Sequence, residues 1–351
     1  MPQIKNKRKN RVKIRQTKER NDMKQKIKIS LALILTVLTL LCLPMGLSAG
    51  NAKELIAAGI PFGVKFHTKG VIVVGIPSGK GPAAEAGIKR GDIITAINGE
   101  PVLSAEEFAE KIKNAGETEL TLDFKSGELS HTAHITPVAD ESGEYKLGVW
   151  VKDSAAGIGT ITFIDPKTMT FAGLGHGICD AETGDPLPLA FGSAETVTLS
   201  GIVNGKAGAP GELRGSFAGH KMGKLLKNEL TGVYGVLAEM PTGLENEKYP
   251  VCKTKDIKEG KATIFVTVDG EGRKQYEIEI FDLVCDGKDR NFSVKVTDEA
   301  LLAKTGGIVQ GMSGSPIIQN GKLIGAVTHV LVNDPARGYG IFIENMLDTA
   351  G

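Results

Sequence analysis

The sequence predicts a mainly β protein, and three observations carry that prediction. Short β-branched runs (VIVVGI, TLTLDF, GTITFI, TVTLSGIV, ATIFVTV, YEIEIFDLV, FSVKV) recur between turn signals along the chain, a spacing that belongs to antiparallel barrels and sandwiches. Glycine is abundant, at 45 residues, while aromatic residues make up only 5% of the chain, so turns are frequent. Helical periodicity is confined to SAEEFAEKIKNAG (104–116), DEALLAKTGG (298–307) and the last residues. No period repeats, which argues against a solenoid.

At 351 residues the chain has room for two compact domains and a targeting segment. The near-neutral net charge of +1 hides an asymmetry: residues 1–28 hold twelve Lys and Arg against Glu19 and Asp22, leaving 30 basic and 39 acidic residues for 29–351. A body of net charge −9 is a poor phosphate binder, so no nucleic-acid partner is expected. The basic block is followed by ISLALILTVLTLLCL (29–43), uncharged and stopped by Pro44, then by GLSAG. That order reads as a basic cytoplasmic segment with a signal peptide or signal-anchor over residues 1–49. The positive-inside bias places everything after Leu47 outside the cytoplasm, with the membrane as a partner.

Cys42 lies in the apolar run, and Cys179, Cys252 and Cys285 remain. Neither CxxC spacing nor HExxH occurs, so neither a metal nor a cofactor is expected. One disulfide is possible outside the cytoplasm, and the sequence does not choose the pair.

A first globular unit is expected over 60–138. PFGVKFHTKGVIVVGI leads to GPAAEAGIKRGDIITAINGEPV, then to the 104–116 helix and the strand TELTLDF. Ser104 with Glu107 makes a capping box, and Phe108 and Ile112 supply the apolar stripe. This order resembles a PDZ domain of the bacterial type. The resemblance implies a groove in which an extended peptide, the chain's own included, adds as a strand. It would lie between Phe62, Gly63, Val64 and Phe66 on one side and Phe108 and Ile112 on the other, although the loop near Pro61–Gly63 is not the usual GLGF.

The rest, 147–351, reads as a larger β domain containing GMSGSPIIQNGKLIGAVTHV (311–330). Glycines at 311 and 314 permit a turn sharp enough to project the Ser313 hydroxyl, and NG at 320–321 signals a hairpin. The segment is similar to the trypsin-like pattern GDSGGPLV…GxLxGIVSWG, which implies a double β-barrel peptidase. In that likeness Ser313 is the nucleophile, and the N–H groups of Gly311 and Ser313 form an oxyanion hole. Thr328, His329 and Val330 would lie beside the substrate. A serine needs a base. Among six histidines, His176 in FAGLGHGICD is favoured by its glycine frame, and His329 is the rival. The acid is open: Asp298, which also reads as a helix N-cap, Asp180, Asp269, Asp282, or none.

Taken together, the basic N-terminus, the apolar segment, the PDZ-like unit, GLGHGICD, VTDEALLAKTGGIVQGMSGSPI and GAVTHVLVNDPARGYGIFIENML resemble the SpoIVB peptidase family of endospore-forming bacteria. Carried over, that family's base falls on His176, its nucleophile on Ser313 and its proposed acid on Asp298. The resemblance implies a signalling serine endopeptidase located between the forespore and mother-cell membranes. It would cleave a membrane-anchored regulator, so releasing an intramembrane protease that matures a late sigma factor. An HtrA-like quality-control protease and a non-catalytic PDZ scaffold are the other readings.

Overall fold

Two closed rings of strands, one interrupted by an inserted domain, make up the computed structural model, which describes residues 53–180, 184–284 and 287–351. The membrane segment expected within 1–49 lies outside the described residues. Among these, no helix is long and apolar enough to cross a membrane.

The chain enters through β1 (Glu54–Gly75). It then builds β2 (Ile93–Ile97), β3 (Glu100–Pro101), the helix Ala105–Ala115, β4 (Leu120–Ser126), β5 (Leu129–Ile135), β6 (Val138–Ala139) and β7 (Tyr145–Lys146). It returns beside β1 as β8 (Trp150–Ile164) and continues through β9 (Thr170–Gly173), β10 (Leu189–Val203), β11 (Glu212–Glu229), β12 (Gly232–Leu237) and β13 (Lys248–Pro250). The last part holds β14 (Gly260–Val266), β15 (Lys274–Phe281), β16 (Phe292–Val296), the helix Glu299–Thr305, β17 (Pro316–Gln319), β18 (Lys322–Leu331), β19 (Asp334–Phe342) and the helix Ile343–Ala350.

In the first ring the order is β10-β11-β12-β9-β8-β1, and pairing of β1 with β10 closes it. Alternation along β1 turns Phe62, Val64 and Phe66 into its interior, where they meet Ile161, Phe171, Leu225 and Val233. The second ring is a closed barrel, β14-β15-β16-β19-β18-β17, filled by Ile264, Ile278, Val294, Ile317, Val327 and Phe342. A third cluster, including Leu55, Phe163, Tyr234, Phe265, Ile341 and Met346, joins the two barrels.

The inserted domain hangs from the far ends of β1 and β8, which run through both bodies. Val71 and Ile72 of β1 pair with Ile94 and Ile93 of β2. Val71, Val73, Ile94 and Leu122 then form a separate core with Phe108 and Ile112 of the helix Ala105–Ala115. The Ser104 hydroxyl accepts the Glu107 N–H at 3.0 Å, while the Glu107 carboxylate accepts from Leu103 N–H at 3.2 Å. The capping box thus forms with its return arm displaced by one residue.

Two expectations are corrected here. The peptidase body does not begin at 147: it begins at Glu54, and the PDZ-like unit is an insertion in the β1–β8 pair rather than a domain preceding it. Nor do Phe62, Gly63, Val64 and Phe66 edge a peptide groove. Val64 pairs with Gly157 of β8 on one side and Ala194 of β10 on the other, and Phe66 with Ala155 and Gly192, so no edge is left for an added strand. Phe108 and Ile112 do line a groove, a cavity of about 600 Å³, but its opposite wall is Leu147–Val151. That wall carries LGVW (147–150), a hydrophobic–glycine–hydrophobic signal in the sequence.

Candidate active site

The Ser313 turn is strapped between the two barrels. From β8, the Thr160 N–H donates to the Ser313 carbonyl at 2.9 Å, and the Thr160 and Thr162 hydroxyls donate to the carbonyls of Gly311 and Gly314, each at 2.7 Å. From β18, the Val327 carbonyl accepts the Gly314 N–H at 2.7 Å. The Ser315 hydroxyl closes the turn on the Met312 carbonyl at 2.6 Å. Gly314 has φ 96°, and a Cβ there would stand 2.0 Å from the Thr160 carbonyl oxygen. We expect Gly314→Ala to lose the folded turn, read as a large fall in Tm and loss of activity; a variant with unchanged melting and turnover would contradict this packing.

Ser313 shares a cavity of about 410 Å³ with His176, Thr328 and His329. The imidazole is carried by the segment after β9, where Leu174 and Gly175 both take positive φ. A Cβ on Gly175 would meet Thr328 Cγ2 at 3.0 Å and the Val327 carbonyl at 3.3 Å, so glycine lets this first-barrel loop lie directly on β18. The loop is held from behind by buried Asn228. Its side chain accepts the Ile178 N–H at 2.8 Å and donates to the carbonyls of Ile178 and Leu187. Nothing in the sequence singled out Asn228, because its partners Ile178 and Leu187 lie 50 and 41 residues away along the chain.

His176 Nδ1 lies 2.8 Å from the Gly177 carbonyl, which only accepts, so this nitrogen carries the proton and Nε2 keeps a lone pair. That is the tautomer a general base requires. In the structure the Ser313 hydroxyl donates to the Thr328 carbonyl at 2.6 Å. It must therefore rotate away before giving its proton to an imidazole. No described partner takes the N–H of Gly311 or Ser313, which suits donors kept for a developing oxyanion.

The His329 ring lies against His176, tilted by 33° with ring centroids 4.6 Å apart. Burial lowers the pKa of both imidazoles, and the Arg290 charge lowers them further. The Gly177 carbonyl partly offsets this for His176. His329, also repelled by His176 and weakly supported by Asp289, falls to about 4. Both rings are therefore neutral at pH 7. Two outcomes are expected. The acid limb of kcat/KM should fall below the ordinary histidine range near 6.5; a limb above pH 7 would contradict it. In addition, the unfolded chain takes up a proton on residue 329 near pH 6.5, whereas the folded one does so only near 4. Stability is then full above about 6.5 and falls as the pH drops towards 4. His329→Phe should lose less Tm than the native chain between pH 8 and 5; equal losses would contradict the assignment.

The expected acid is not brought into this cavity. Asp298 caps the helix Glu299–Thr305: its Oδ1 accepts the N–H groups of Ala300 and Leu301, each at 3.0 Å, and its Oδ2 accepts that of Glu277 at 3.3 Å. Local capping geometry wins, since it satisfies donors that no other group at the helix start reaches. The other candidates lie elsewhere. Asp269 pairs with Lys304, Asp282 accepts from the Ser293 hydroxyl at 3.4 Å, and the Asp180 N–H donates to the Asp185 carbonyl at 2.9 Å. Among the described residues, only histidines contribute ionisable side chains to the cavity lining. Asp298→Ala should cost about 1 kcal/mol of stability. Asp298→Asn, which retains the cap, should keep kcat/KM within about threefold; a loss of several orders in the Asn variant would return Asp298 to the chemistry.

Among the described residues no cluster of metal-ligating side chains occurs. Cys179 is half-buried and Cys252 buried, both as free thiols, while Cys285 lies outside the described residues.

A double barrel with a serine and an imidazole in the cleft between its halves defines the class of serine peptidases built on this architecture. The comparisons refine it. The model of the SpoIVB peptidase S55 family matches residues 143–347, more than half of the chain, and that of the PDZ domain matches 77–126. The chain belongs to the SpoIVB peptidase S55 family. It is 38% identical over 94 residues to a probable periplasmic serine endoprotease, DegP-like, of Brucella suis, which covers 26% of this chain and 18% of that one. The match thus spans about a fifth of that curated relative's length. Among solved structures it is similar to the PDZ domain of the SdrC-like protein of Listeria monocytogenes, at 27% identity and TM-score 0.22, covering 24% of this chain and 87% of that one. It is also similar to the Rv3671c protease of M. tuberculosis in its active form, at 13% identity and TM-score 0.30, covering 55% and 72%.

Proposed function

We propose that this chain is a signalling serine endopeptidase that cleaves a membrane-anchored regulatory protein during sporulation. Release of an intramembrane protease and maturation of a late sigma factor would follow. Ser313 is the nucleophile, His176 the base, and the N–H groups of Gly311 and Ser313 the oxyanion donors. The observation that carries the reading is the meeting of Ser313 and His176 in one cavity between the barrels. Family membership supports peptidase chemistry. Sporulation, the signal peptide or signal-anchor within residues 1–49 and a location between the forespore and mother-cell membranes rest on the sequence and its resemblance.

The PDZ-like insertion serves as a second peptide-binding point. Its groove between the helix Ala105–Ala115 and Leu147–Val151 has the layout in which a peptide adds as a strand. An HtrA-like quality-control role is disfavoured because those proteases carry their PDZ after the protease domain, whereas here it interrupts the first barrel. A scaffold without chemistry is disfavoured because Ser313 and His176 line one cavity, and the Nδ1 bond to the Gly177 carbonyl leaves Nε2 as the proton acceptor.

The test is complementation of an endospore-forming bacterium lacking its own family member. The native chain is expected to restore mature spores and cleavage of the tagged membrane-anchored regulator, and Ser313→Ala to restore neither. Equal rescue by both would sink the enzymatic reading in favour of the scaffold.

A further inference from the structure

We propose that the peptide group between Gly177 and Ile178 takes the place of a triad acid, and that Asn228 is the positioning residue that holds it there. The inference rests on the peptidase reading and adds to it the group that orients the base. A triad acid keeps the imidazole in one tautomer and supports the imidazolium that forms. The Gly177 carbonyl and the Ile178 N–H belong to one planar trans unit, so they point in opposite directions. On one side the carbonyl faces His176 Nδ1 at 2.8 Å. On the other the N–H donates to Asn228 Oδ1, also at 2.8 Å. Turning this plane would carry the acceptor away from the imidazole, and Asn228 resists the turn.

Asn228 is itself fixed. It lies in β11 opposite Val233 of β12 and is buried. Its Nδ2 uses both hydrogens, on the carbonyls of Ile178 at 2.8 Å and Leu187 at 2.9 Å. The Leu187 N–H returns to the Ile178 carbonyl at 2.8 Å. One N–H and two carbonyls leave a single orientation for the amide, with oxygen to the N–H and nitrogen to the carbonyls. The adjoining backbone fits the same arrangement. A Cβ on Gly177 would stand 2.8 Å from the Glu229 carbonyl, so glycine lets the peptide lie directly on the end of β11.

The direction of these bonds has an electrostatic consequence. When the base takes the serine proton, positive charge appears on the imidazole. Bonds run from Nδ1–H to the Gly177 carbonyl, from the Ile178 N–H to Asn228 Oδ1, and from Nδ2 to the Leu187 carbonyl, each donor pointing away from the ring. Hydrogen bonds aligned head to tail polarise one another, so the chain supports that charge without an ionised group. It does so less strongly than a carboxylate would. That suits a lining in which, among the described residues, no Asp or Glu occurs.

Fluorophosphonate labelling of Ser313 and cleavage of an unfolded protein are measured on the full-length chain, on Asn228→Ala and on Asn228→Asp, each well below its own Tm. Asn228→Ala should lower kcat and the labelling rate by about 10- to 100-fold, with KM within about twofold. Asn228→Asp, which keeps an oxygen for the Ile178 N–H, should recover most of that loss. Nitrogen NMR of the histidine-labelled chains at neutral pH should show His176 protonated on Nδ1 in the native chain and a mixture of tautomers in Asn228→Ala. Loss of stability alone does not produce that change. An unchanged rate or an unchanged tautomer in a folded Asn228→Ala overturns the proposal, as does an Asn228→Asp no faster than Asn228→Ala. Should Asn228→Ala not fold, the native tautomer decides: Nδ1–H upholds the proposal and Nε2–H overturns it. Failure of the peptidase reading looks different, since a native chain that neither labels nor cleaves removes both.

Discussion

Ser313→Ala is expected to abolish peptide-bond cleavage, lowering kcat by about 10⁴- to 10⁶-fold, while Tm moves by only a few degrees. The size follows from the role. Without the hydroxyl no acyl-enzyme forms, and only binding and the oxyanion donors remain. The small effect on stability follows from the contacts. The turn is held by backbone bonds to Thr160 and Val327 and by the hydroxyls of Thr160, Thr162 and Ser315. The Ser313 side chain adds one bond to the Thr328 carbonyl, worth about 1 kcal/mol. Side-by-side melting and cleavage of an unfolded protein check both halves.

His176→Ala should reach the same floor, and combining it with Ser313→Ala should lower the rate no further, because the two residues act as one unit. His329→Phe should cost less than about tenfold. It keeps a ring against His176, and it leaves in place the imidazole whose Nδ1 bond to the Gly177 carbonyl sets Nε2 as the proton acceptor. Kinetics of the three variants decide between the imidazoles. A reversed order, with His329 indispensable and His176 replaceable, would exchange their roles. The Arg290 charge, which disfavours protonation of both rings, makes this a site where a transient imidazolium is poorly supported. The Gly177 carbonyl is the partner of Nδ1, and no carboxylate occurs among the described residues of the lining, which supports the proposed Ser–His pair.

What the sequence made legible was local. The GMSGSP turn could be recognised because its glycines answer to backbone demands, with φ of 98° at Gly311 and 96° at Gly314. The framing of His176 by glycines likewise reflects a close approach that admits no side chain. What stayed hidden depends on partners distant in sequence. Residues 54–75 form one continuous strand, so no local pattern marks where it leaves the first barrel and enters the inserted domain. Phe62, Val64 and Phe66 have the same alternation whichever core receives them. Asp298 matched both a cap and a catalytic acid, and three short backbone contacts resolved it as the cap. The Asn228 staple joins segments that sequence spacing cannot relate.

The most direct measurement is residue-resolved labelling of the full-length chain with a fluorophosphonate, run beside its His176→Ala twin. Covalent adduct confined to Ser313 in the native chain, and at least about a thousandfold slower in the twin, is the predicted result. An unmodified Ser313, or equal labelling rates in the two chains, would mean that imidazole and hydroxyl do not work together.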